Sequence, residues 1–376
     1  MSKPLSVAAV ETLLFRYPVP VPVSSAIGTM TSRPMLLVRI EDTEGAQGWG
    51  EIWCNFPIVG AEHRAHLVKS VFEPLLVGQA LDAPAKHFER LTRLTRQQIV
   101  QTGEPGPFAQ CIAGIDQALT DLAARRRHQP LWRFLGGKSA TLQAYASALG
   151  PEDPGPSAQE HWERGFRHFK LKVGLGRERD LRNLAELRAA LPAQAGIMLD
   201  ANQAWLAPEA VEMIHALAAF KLTWVEEPIS AEAPLSEWSA VAAQCAVPLA
   251  AGENLRGRDR YDEAIHSKAF GFIQPDIGKW GGFTGGLEVG RNAVAAGLAF
   301  CPHWLGGGIG LLASMHLLAA AGGNGYAEID ANPNPLREAA SLPPMVNGCC
   351  ALPETPGLGL DPADTLVPSL DEYRIR

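Results

Sequence analysis

Apolar and polar residues alternate along the first part of the chain with the two-residue period of β-strands. Val7–Arg16 is predicted to form a first strand, and Met35–Glu41 and Gly48–Trp53 form two further strands with a turn at Thr43–Ala46 between them. The segment Tyr17–Pro34 is rich in Pro, Ser and Thr, and we expect it to form a loop. The pattern therefore favours a small antiparallel sheet at the start of the chain.

A helical period follows this sheet. Apolar residues recur three and four positions apart in the segments Glu62–Leu76, Ala85–Gln98 and Pro107–Arg126. Strands followed by helices indicate an α+β domain, which we expect to span residues 1–137.

Short apolar strands alternate with helices after Gly137. The predicted strands are Leu142–Ser147, His168–Val173, Gly196–Asp200, Thr223–Glu226, Pro248–Ala251, Phe270–Pro275, Leu298–Cys301 and Tyr326–Ile329. The predicted helices are Arg177–Ala190, Pro208–Leu217, Leu235–Gln244, Gly285–Ala296 and Gly310–Ala321. A strand and a helix together take about 26 residues, and eight such units are typical of an α/β fold of the TIM-type (β/α)8 class.

The alternative to a barrel is a doubly wound open sheet. It is the weaker interpretation because no Gly-x-Gly-x-x-Gly motif opens a helix after the first strand. We expect the barrel to occupy residues 138–342. The tail, residues 343–376, is rich in Pro, Gly and Asp, and we expect it to return to the first domain.

Composition narrows the classes of partner. The 376 residues are 47% hydrophobic and 19% charged with a net charge of −7, which is typical of a soluble globular protein. There is no long basic run, no apolar stretch as long as a membrane span and no signal-peptide pattern at the start, so neither nucleic acid nor a membrane is expected as a partner. The six cysteines are scattered without a Cys-x-x-Cys motif, which favours free thiols and a cytoplasmic location.

The first candidate chemistry lies in the segment Phe166–Gly174. Lys170 and Lys172 stand two residues apart on a predicted strand, so their side chains share one face. Such a pair is ordinary on a solvated strand. Inside a closed barrel, desolvation and repulsion lower the pKa of a lysine and let it act as a base. The acidic strand ends that follow favour the barrel interpretation.

Charged residues stand where the predicted strands end, and barrel active sites form at that end. These residues are Lys170, Lys172, Asp200, Glu226, Glu253, Asp276, Lys279, His303 and Glu328. Any one acid alone is more typical of a helix cap or a surface position. Asp200, Glu226 and Glu253, however, follow three successive strands and offer only oxygen donors, which indicates a hard-cation site with Mg²⁺ preferred over Ca²⁺ or Zn²⁺.

The motifs around these acids resemble those of the enolase superfamily. Leu199–Asn202, Val225–Pro228 and Ala251–Asn254 are similar to its three metal-ligand motifs, and Lys170–Lys172 matches its Lys-x-Lys element. Ala113–Leu122 is similar to the helix that precedes the barrel in that superfamily.

Further motifs resemble the mandelate racemase/muconate lactonizing enzyme family, and within it the mandelate racemase-like subgroup. Asp276–Gly282 and Pro302–His303 are similar to the Asp–His dyad of that subgroup. The match runs in order over nearly the whole chain. It implies an α+β capping domain over a modified (β/α)7β barrel, a small-molecule carboxylate substrate, and a homo-oligomer, either a dimer or an octamer.

The resemblance also implies one Mg²⁺ and removal of the proton α to a carboxylate. The metal ligands it implies are Asp200, Glu226 and Glu253, with Glu226 selected over the adjacent Glu227.

Roles at the two faces of the substrate follow from the same resemblance. Lys170 is expected to hold the substrate carboxylate and, by repulsion, to lower the pKa of Lys172. Lys172 takes the proton on one face, and His303, oriented by Asp276, stands on the other. Glu328, when protonated, is expected to hydrogen-bond a carboxylate oxygen.

Two assignments stay open within the resemblance. Asp330 is a second candidate for the role of Glu328. Lys279 stands on the sixth strand, where the muconate-lactonizing subgroup carries its second base, whereas Glu253–Asn254 and His303 favour the mandelate racemase-like subgroup.

Substrate contacts are expected from Asn202, Lys279, Trp53 and Arg33. We expect Tyr17–Pro34 and Trp53–Pro57 to fold down from the capping domain as a lid over the barrel. The first of these segments carries polar side chains, namely Ser24, Ser25, Thr29, Thr31, Ser32 and Arg33. A polar lid favours a hydroxylated acid over an aromatic one.

The reaction favoured by these features is dehydration of an acid sugar to a 2-keto-3-deoxy acid. The same proton abstraction also serves a racemase or epimerase of a 2-hydroxy or amino carboxylate, which is the alternative. A non-catalytic sugar-acid-binding protein is an alternative of a different class. It requires a lost ligand or base, and the sequence lacks none of them.

Overall fold

Two β-sheets organise the chain, and the computed structural model describes residues 5–25 and 28–375. The strands are β1 Val7–Ser25, β2 Gly28–Asp42, β3 Gln47–Ile52, β4 Thr141–Leu149, β5 His168–Lys172, β6 Gly196–Asp200, β7 Leu222–Glu226, β8 Leu249–Ala251, β9 Phe272–Ile273, β10 Ala299–Phe300, β11 Tyr326–Asp330, β12 Cys349–Ala351 and β13 Arg374–Ile375.

The α-helices surround these sheets. They are α1 Gly60–Leu67, α2 Glu73–Leu76, α3 Pro84–Thr102, α4 Pro105–Arg126, α5 Leu131–Phe134, α6 Pro154–Glu163, α7 Arg177–Ala190, α8 Ala207–Leu217, α9 Leu235–Ala242, α10 Arg258–His266, α11 Gly282–Ala295, α12 Gly308–Ala321, α13 Pro335–Glu338 and α14 Val367–Ser369. The helix predicted at Glu62–Leu76 is α1 and α2 joined by a π-helical turn, Val68–Phe72.

The first sheet is antiparallel and has the order β13-β1-β2-β3. The loop predicted at Tyr17–Pro34 is wrong over the described residues, because β1 and β2 continue as a long hairpin. Tyr17 lies opposite Arg33 and, after an irregularity, Val23 lies opposite Met30. The prolines of this stretch are tolerated because β13 covers only the earlier part of β1, so missing N–H groups fall on an edge.

The second sheet forms the barrel. Its strands follow the order β10-β9-β8-β7-β6-β5-β4-β11, and every neighbouring pair is parallel. Because β11 returns to pair with β4, the sheet curls on itself, and the Tyr326 N–H donates to Cys301 Sγ (3.3 Å) across the remaining gap. The helices α6–α12 alternate with these eight strands, which confirms the predicted (β/α)7β barrel with an α+β capping domain.

Two barrel helices, α6 and α10, are absent from the sequence prediction. α6 begins with Pro-Gly-Pro, a sequence typical of a turn, and α10 consists mostly of charged residues, so neither shows a long apolar period. The tail ends in β13, which pairs with β1 at Leu14 and Phe15. The boundaries at residues 137 and 342 stay a prediction.

The barrel interior is filled below the strand ends. Its buried side chains are Tyr145, Met198, Trp224, Ala250, Ala299 and Cys301. The rings of Tyr145 and Trp224 meet edge to face with their centroids 5.4 Å apart. This plug closes the lower part of the barrel, so a ligand has access only to the strand ends.

All six cysteines are free thiols. Within the described residues, no helix combines the length and the apolar character needed to cross a membrane.

Buried carboxylates of the capping domain bond to the N-termini of two barrel helices. Glu51 on β3 accepts hydrogen bonds from the N–H groups of Gly307 (2.6 Å) and Gly310 (2.8 Å) at the start of α12. Asp116 on α4 accepts from the N–H (2.9 Å) and the hydroxyl (2.6 Å) of Thr284 at the start of α11. Burial raises the pKa of Glu51 to about 7 and that of Asp116 to about 6.

The Glu51 contact predicts a pH dependence of stability. Its pKa of about 7 exceeds the ordinary 4.5, so between these pH values the folded chain holds a proton that the unfolded chain has released. The contribution of Glu51 to the free energy of unfolding therefore falls as the pH rises through this window, by about 3 kcal/mol, and stays low above pH 7.

Glu51→Gln should remove most of this dependence. Urea unfolding of the wild type and the variant at pH 5 and pH 8 measures it, with Glu89→Gln as a control on an exposed acid of the same domain. We expect the difference in unfolding free energy between wild type and Glu51→Gln to change between the two pH values. A difference that is the same at both would contradict a raised pKa at Glu51.

Candidate active site

The strand register sets three charged residues side by side. Lys172 on β5 pairs with Asp200 on β6, and Asp200 pairs with Glu226 on β7. The carboxyl ends of parallel strands meet at one end of a barrel. Glu253 joins this row through Gly252, which has φ +143 and where an added Cβ would lie 2.8 Å from the backbone N of Gln274.

Lys170 lies at the centre of the buried charges. Its Nζ donates to Glu226 Oε1 (2.7 Å), contacts Glu328 Oε1 (2.8 Å) and lies 3.8 Å from Asp200 Oδ2. It also stands over the Tyr145 ring, 5.3 Å from the centroid. Burial alone would lower the pKa of Lys170, but Glu226 and Glu328 outweigh burial and hold its pKa well above the usual value.

Lys172 lies nearer the open end of the barrel. Its Nζ donates to Asp200 Oδ2 (2.6 Å) and to Asn202 Oδ1 (2.9 Å). Lys170 lowers the pKa of Lys172, as expected, but the expected net lowering of that pKa is wrong for this arrangement. Burial and Lys170 do lower it, but the short contact with Asp200 outweighs both, and the pKa of Lys172 is raised.

The predicted Asp–His dyad is present as a hydrogen-bonded pair. His303 Nδ1 lies 2.7 Å from Asp276 Oδ2, and Asp276 Oδ1 accepts the N–H groups of Gly278 and Lys279. Since the carboxylate can only accept, Nδ1 carries the proton of this bond. His303 Nε2 points toward Glu253 Oε2 at 2.9 Å.

Lys279 contacts the same carboxylate as His303. Its Nζ donates to Glu253 Oε1 (3.0 Å) and to Asn254 Oδ1 (3.1 Å), and it stands 5.1 Å from the centroid of the Trp53 ring. Burial alone would raise the pKa of Glu253, but His303 and Lys279 hold it well below its usual range.

Glu226 and Glu227 point to different places. Glu226 faces the barrel interior, where it also accepts from Gln274 Nε2 (2.7 Å). Glu227 turns away and accepts from Gln203 Nε2 (2.9 Å) and Asn254 Nδ2 (2.8 Å). Burial raises the pKa of Glu226 to about 7 and that of Glu227 to about 8.

The side chains of Glu328 and Asp330 also have different partners. Glu328 accepts from the Ser147 hydroxyl and from the N–H of Trp304, beside Lys170. Asp330 pairs with Arg33 instead (2.8 Å). The structure therefore brings Glu328, and not Asp330, to the row of strand-end charges.

Asp200, Glu226 and Glu253 fit a hard divalent cation by their donor chemistry. All three are buried carboxylates, and each lies close enough to the others to disfavour their ionisation. Here each is neutralised by a lysine, and no three Asp, Glu, His or Cys side chains of the described residues converge as a ready metal site. A cation among the three would relieve their repulsion, and oxygen donors are what Mg²⁺ prefers.

A cavity of about 410 Å³ lies between the capping domain and the strand ends. Among the residues named from the sequence, it is lined by Arg33, Trp53, Lys172, Asn202, Glu253, Lys279, His303 and Asp330. Lys170, Asp200, Glu226, Asp276 and Glu328 do not line it. They lie around and beneath its floor, so Lys170 has no direct contact with the cavity in this arrangement.

Among the described residues, apolar side chains of the lid line the cavity beside the predicted Arg33. Met30, Trp53 and Phe56 form much of the inner side of the lid together with Arg33. The side chain of Thr31 is exposed to solvent and does not line the cavity. The side chains of Ser24, Ser25 and Thr29 lie outside the described residues.

Three residues with side-chain amides line the cavity but were not predicted as site residues from the sequence, namely Asn55, Gln203 and Asn332. Asn55 stands inside the predicted lid segment Trp53–Pro57, and Asn332 follows Asp330 by two residues. Both positions adjoin motifs that the sequence singles out. Amides carry no charge pattern, however, so no sequence signal distinguishes them.

Sequence families match both parts of the chain. Residues 9–136 match the mandelate racemase / muconate lactonizing enzyme N-terminal domain, and residues 156–366 match the enolase C-terminal domain-like family. D-galactarolactone cycloisomerase of Agrobacterium fabrum is 31% identical over 375 residues, which cover 95% of this chain and 96% of that protein. Arabinonate dehydratase of Saccharolobus solfataricus is 26% identical, with coverage of 93% and 94%.

Solved structures agree with the fold. A mandelate racemase/muconate lactonizing enzyme from Bordetella bronchiseptica superposes with a TM-score of 0.90 at 46% identity and covers 96% of this chain and 98% of its own. L-talarate dehydratase from Polaromonas, solved with Mg and L-glucarate, superposes with a TM-score of 0.84 at 26% identity, with coverage of 99% and 98%.

The central position of Lys170 predicts a large stability effect. Lys170→Met leaves Glu226 and Glu328 buried without their cation, and breaking a buried pair of this kind costs about 3–5 kcal/mol. Lys172→Met should cost less, because that side chain is 19% exposed and Asp200 retains Asn202 as a partner. Urea unfolding in the presence of a metal chelator measures both. Equal losses in the two variants would contradict the assignment of Lys170 as the central counter-charge.

Proposed function

Because the chain belongs to the mandelate racemase/muconate lactonizing enzyme family of the enolase superfamily, we propose that it dehydrates an acid sugar to a 2-keto-3-deoxy acid, with Mg²⁺ as its cofactor. One observation carries this proposal. Lys172 and the Asp276-bonded His303 line one cavity whose floor holds three buried carboxylates.

Asp200, Glu226 and Glu253 are the residues that would hold Mg²⁺. A divalent cation there would supply positive charge beside the substrate carboxylate and so lower the energy of the enediolate formed by proton removal. Related structures support this choice of metal, since a racemase from Streptomyces coelicolor and the L-talarate dehydratase were solved with magnesium.

Lys172 is the proposed base on one face of the substrate. Its Nζ is positioned by Asp200 and Asn202 at the cavity floor. Pairing with Asp200 raises the pKa of Lys172, and a cation bound to Asp200 would compete for that pairing and so favour the neutral amine. The neutral amine removes the proton from C2 and becomes an ammonium group. The electron pair of the C–H bond moves into the carboxylate and gives the enediolate.

His303 is the proposed acid on the other face. Asp276 holds Nδ1, which leaves Nε2 directed toward Glu253 and the cavity. As the enediolate collapses, the C3–O bond breaks and Nε2 delivers a proton to the departing hydroxyl, so water leaves. The resulting enol takes a proton at C3, loses the proton of its C2 hydroxyl and becomes the 2-keto-3-deoxy acid.

The remaining residues position the substrate. Asn202, Lys279, Trp53 and Arg33 are proposed as its contacts because each lines the cavity. Glu328 and Lys170 act from beneath the floor, where Lys170 sets the charge of Glu226 and Glu328. Asp330 is not proposed for the role of Glu328, since it is paired with Arg33.

Cycloisomerisation is a second candidate function. Two relatives that cover 95% and 93% of this chain are D-galactarolactone cycloisomerase and 3,6-anhydro-α-L-galactonate cycloisomerase. The first chemical step is the same. When the oxygen at the β-carbon belongs to a ring, its departure opens the ring and no water is lost. Product mass therefore separates the two candidates.

Metal dependence is the first test. Chelation should abolish turnover, and Mg²⁺ should restore it. Glu226→Gln should weaken Mg²⁺ binding, measured by calorimetry, and remove turnover. Glu227→Gln is the matched control, because Glu227 turns away to Gln203 and Asn254 and its substitution should leave Mg²⁺ affinity unchanged. If Glu227→Gln loses Mg²⁺ binding and Glu226→Gln does not, then Glu227 is the metal ligand and the assignment of Glu226 is wrong.

The two faces give the second test. A panel of acid sugars is incubated in D₂O, with proton exchange at C2 followed by NMR and keto acid by a colour reaction. Lys172→Ala should lose both exchange and product. His303→Asn should keep exchange at C2 but lose product, because the acid for the leaving group is gone.

Lys86→Ala, on an exposed lysine of the capping domain, serves as the control and should behave as the wild type. Exchange retained in Lys172→Ala would assign the base elsewhere, with Lys279 as the next candidate. A change in optical rotation without keto acid would replace dehydration by racemisation or epimerisation.

A further inference from the structure

A buried cluster of two arginines and one aspartate borders the cavity where the β1–β2 hairpin meets the end of β11. Arg33 Nη1 and Arg337 Nη1 lie 2.8 Å and 3.0 Å from the same oxygen, Asp330 Oδ2. Asp330 Oδ1 accepts from the N–H (3.0 Å) and the side-chain amide (2.8 Å) of Asn332. Every acceptor of Asp330 is therefore engaged, and two guanidinium groups share one buried carboxylate.

The two arginines are not equivalent. Arg337 also donates to the backbone oxygen of Asn332 (2.6 Å), lies 3.5 Å from the half-exposed Glu338, and does not line the cavity. Both arginines keep one buried nitrogen without a well-formed hydrogen bond, Nε in Arg33 and Nη1 in Arg337. Arg33, however, lines the cavity and is 8% exposed. Of the two arginines that share the single charge of Asp330, Arg33 is therefore the one that a ligand in the cavity can reach.

The charges at the catalytic part of the cavity are already matched. Lys172 is paired with Asp200, and Glu253 is shared by Lys279 and His303. Arg33 is the cavity-lining cation, among the described residues, that has a buried donor left over. An unpaired buried donor on a charged group is costly, and a carboxylate matches the edge of a guanidinium with two hydrogen bonds.

We propose that Arg33 binds a second carboxylate of the substrate, so that the acid sugar is a dicarboxylate and not a monocarboxylate with a terminal hydroxymethyl group. This proposal rests on the proposed function, in which the first carboxylate lies at the strand-end acids. Met30 and Phe56 line the same cavity as Arg33 and give its wall apolar surface.

The test compares matched pairs of acids that differ only at the far end, such as galactarate with galactonate and glucarate with gluconate. Binding to the Mg²⁺-loaded enzyme is measured by calorimetry, which requires no turnover. The wild type should bind one dicarboxylate roughly 10- to 100-fold more tightly than its monocarboxylate partner. Equal binding within every pair, binding of neither member of any pair, or a preference for the monocarboxylate would overturn the proposal.

Variants distinguish a ligand-binding role of Arg33 from a purely structural role in which it only pairs with Asp330. Arg33→Gln should abolish the preference, lowering affinity for the dicarboxylate while leaving the monocarboxylate nearly unchanged, and Arg33→Lys should restore part of it. Arg337→Gln removes the other arginine from Asp330 and should keep the preference. If the two glutamine variants behave alike, Arg33 serves only to hold Asp330.

Failure of the dehydratase proposal has a different signature. In that case the dicarboxylate preference and its loss in Arg33→Gln persist in the binding measurement, while no acid exchanges its C2 proton in D₂O.

Discussion

Three buried carboxylates at the ends of adjacent strands repel one another, and the site is built around that repulsion. Strand register puts Asp200 beside Glu226, and the turn at Gly252 adds Glu253. In this structure each of them forms an ion pair with a lysine, and the lysine paired with Glu226, Lys170, is fully buried. Ammonium groups and a divalent cation can satisfy the same negative charge, so the arrangement that stabilises the fold also creates a place for a metal.

The capping domain completes the site from the other side. It contributes Arg33, Trp53 and the lid residues to the cavity wall. Its buried acids also bond to the N-termini of α11 and α12, the helices that follow the strands carrying the Asp276–His303 pair. The domain proposed to contact the substrate is thereby joined to the elements that position the proposed acid.

The barrel and its strand-end residues can be predicted from the sequence, because both follow from the local pattern of apolar residues that marks each strand and helix. A strand of five residues ending in Asp200 needs only its apolar pattern, and the common end of parallel strands then brings distant residues together. The hairpin at Tyr17–Pro34 was not readable, because its prolines signal a loop unless the exposed edge of β1 is known.

The raised pKa of Lys172 was equally beyond the sequence. Two lysines on one strand face indicate repulsion, but the 2.6 Å contact with Asp200 on the next strand reverses the sign. Charges separated by many residues along the chain decide such shifts. The contacts of Glu253 with both His303 and Lys279 could not be predicted from the sequence either, because they depend on the directions of three side chains that follow different strands.

The most direct test of the metal site is diffraction from crystals grown with Mn²⁺ in place of Mg²⁺, recorded where manganese scatters anomalously. We expect one strong anomalous peak bonded to oxygens of Asp200, Glu226 and Glu253, with Lys172 released from Asp200. A peak ligated by Glu227 or by His303, or no peak at the strand ends while the lysines still hold all three carboxylates, would contradict it.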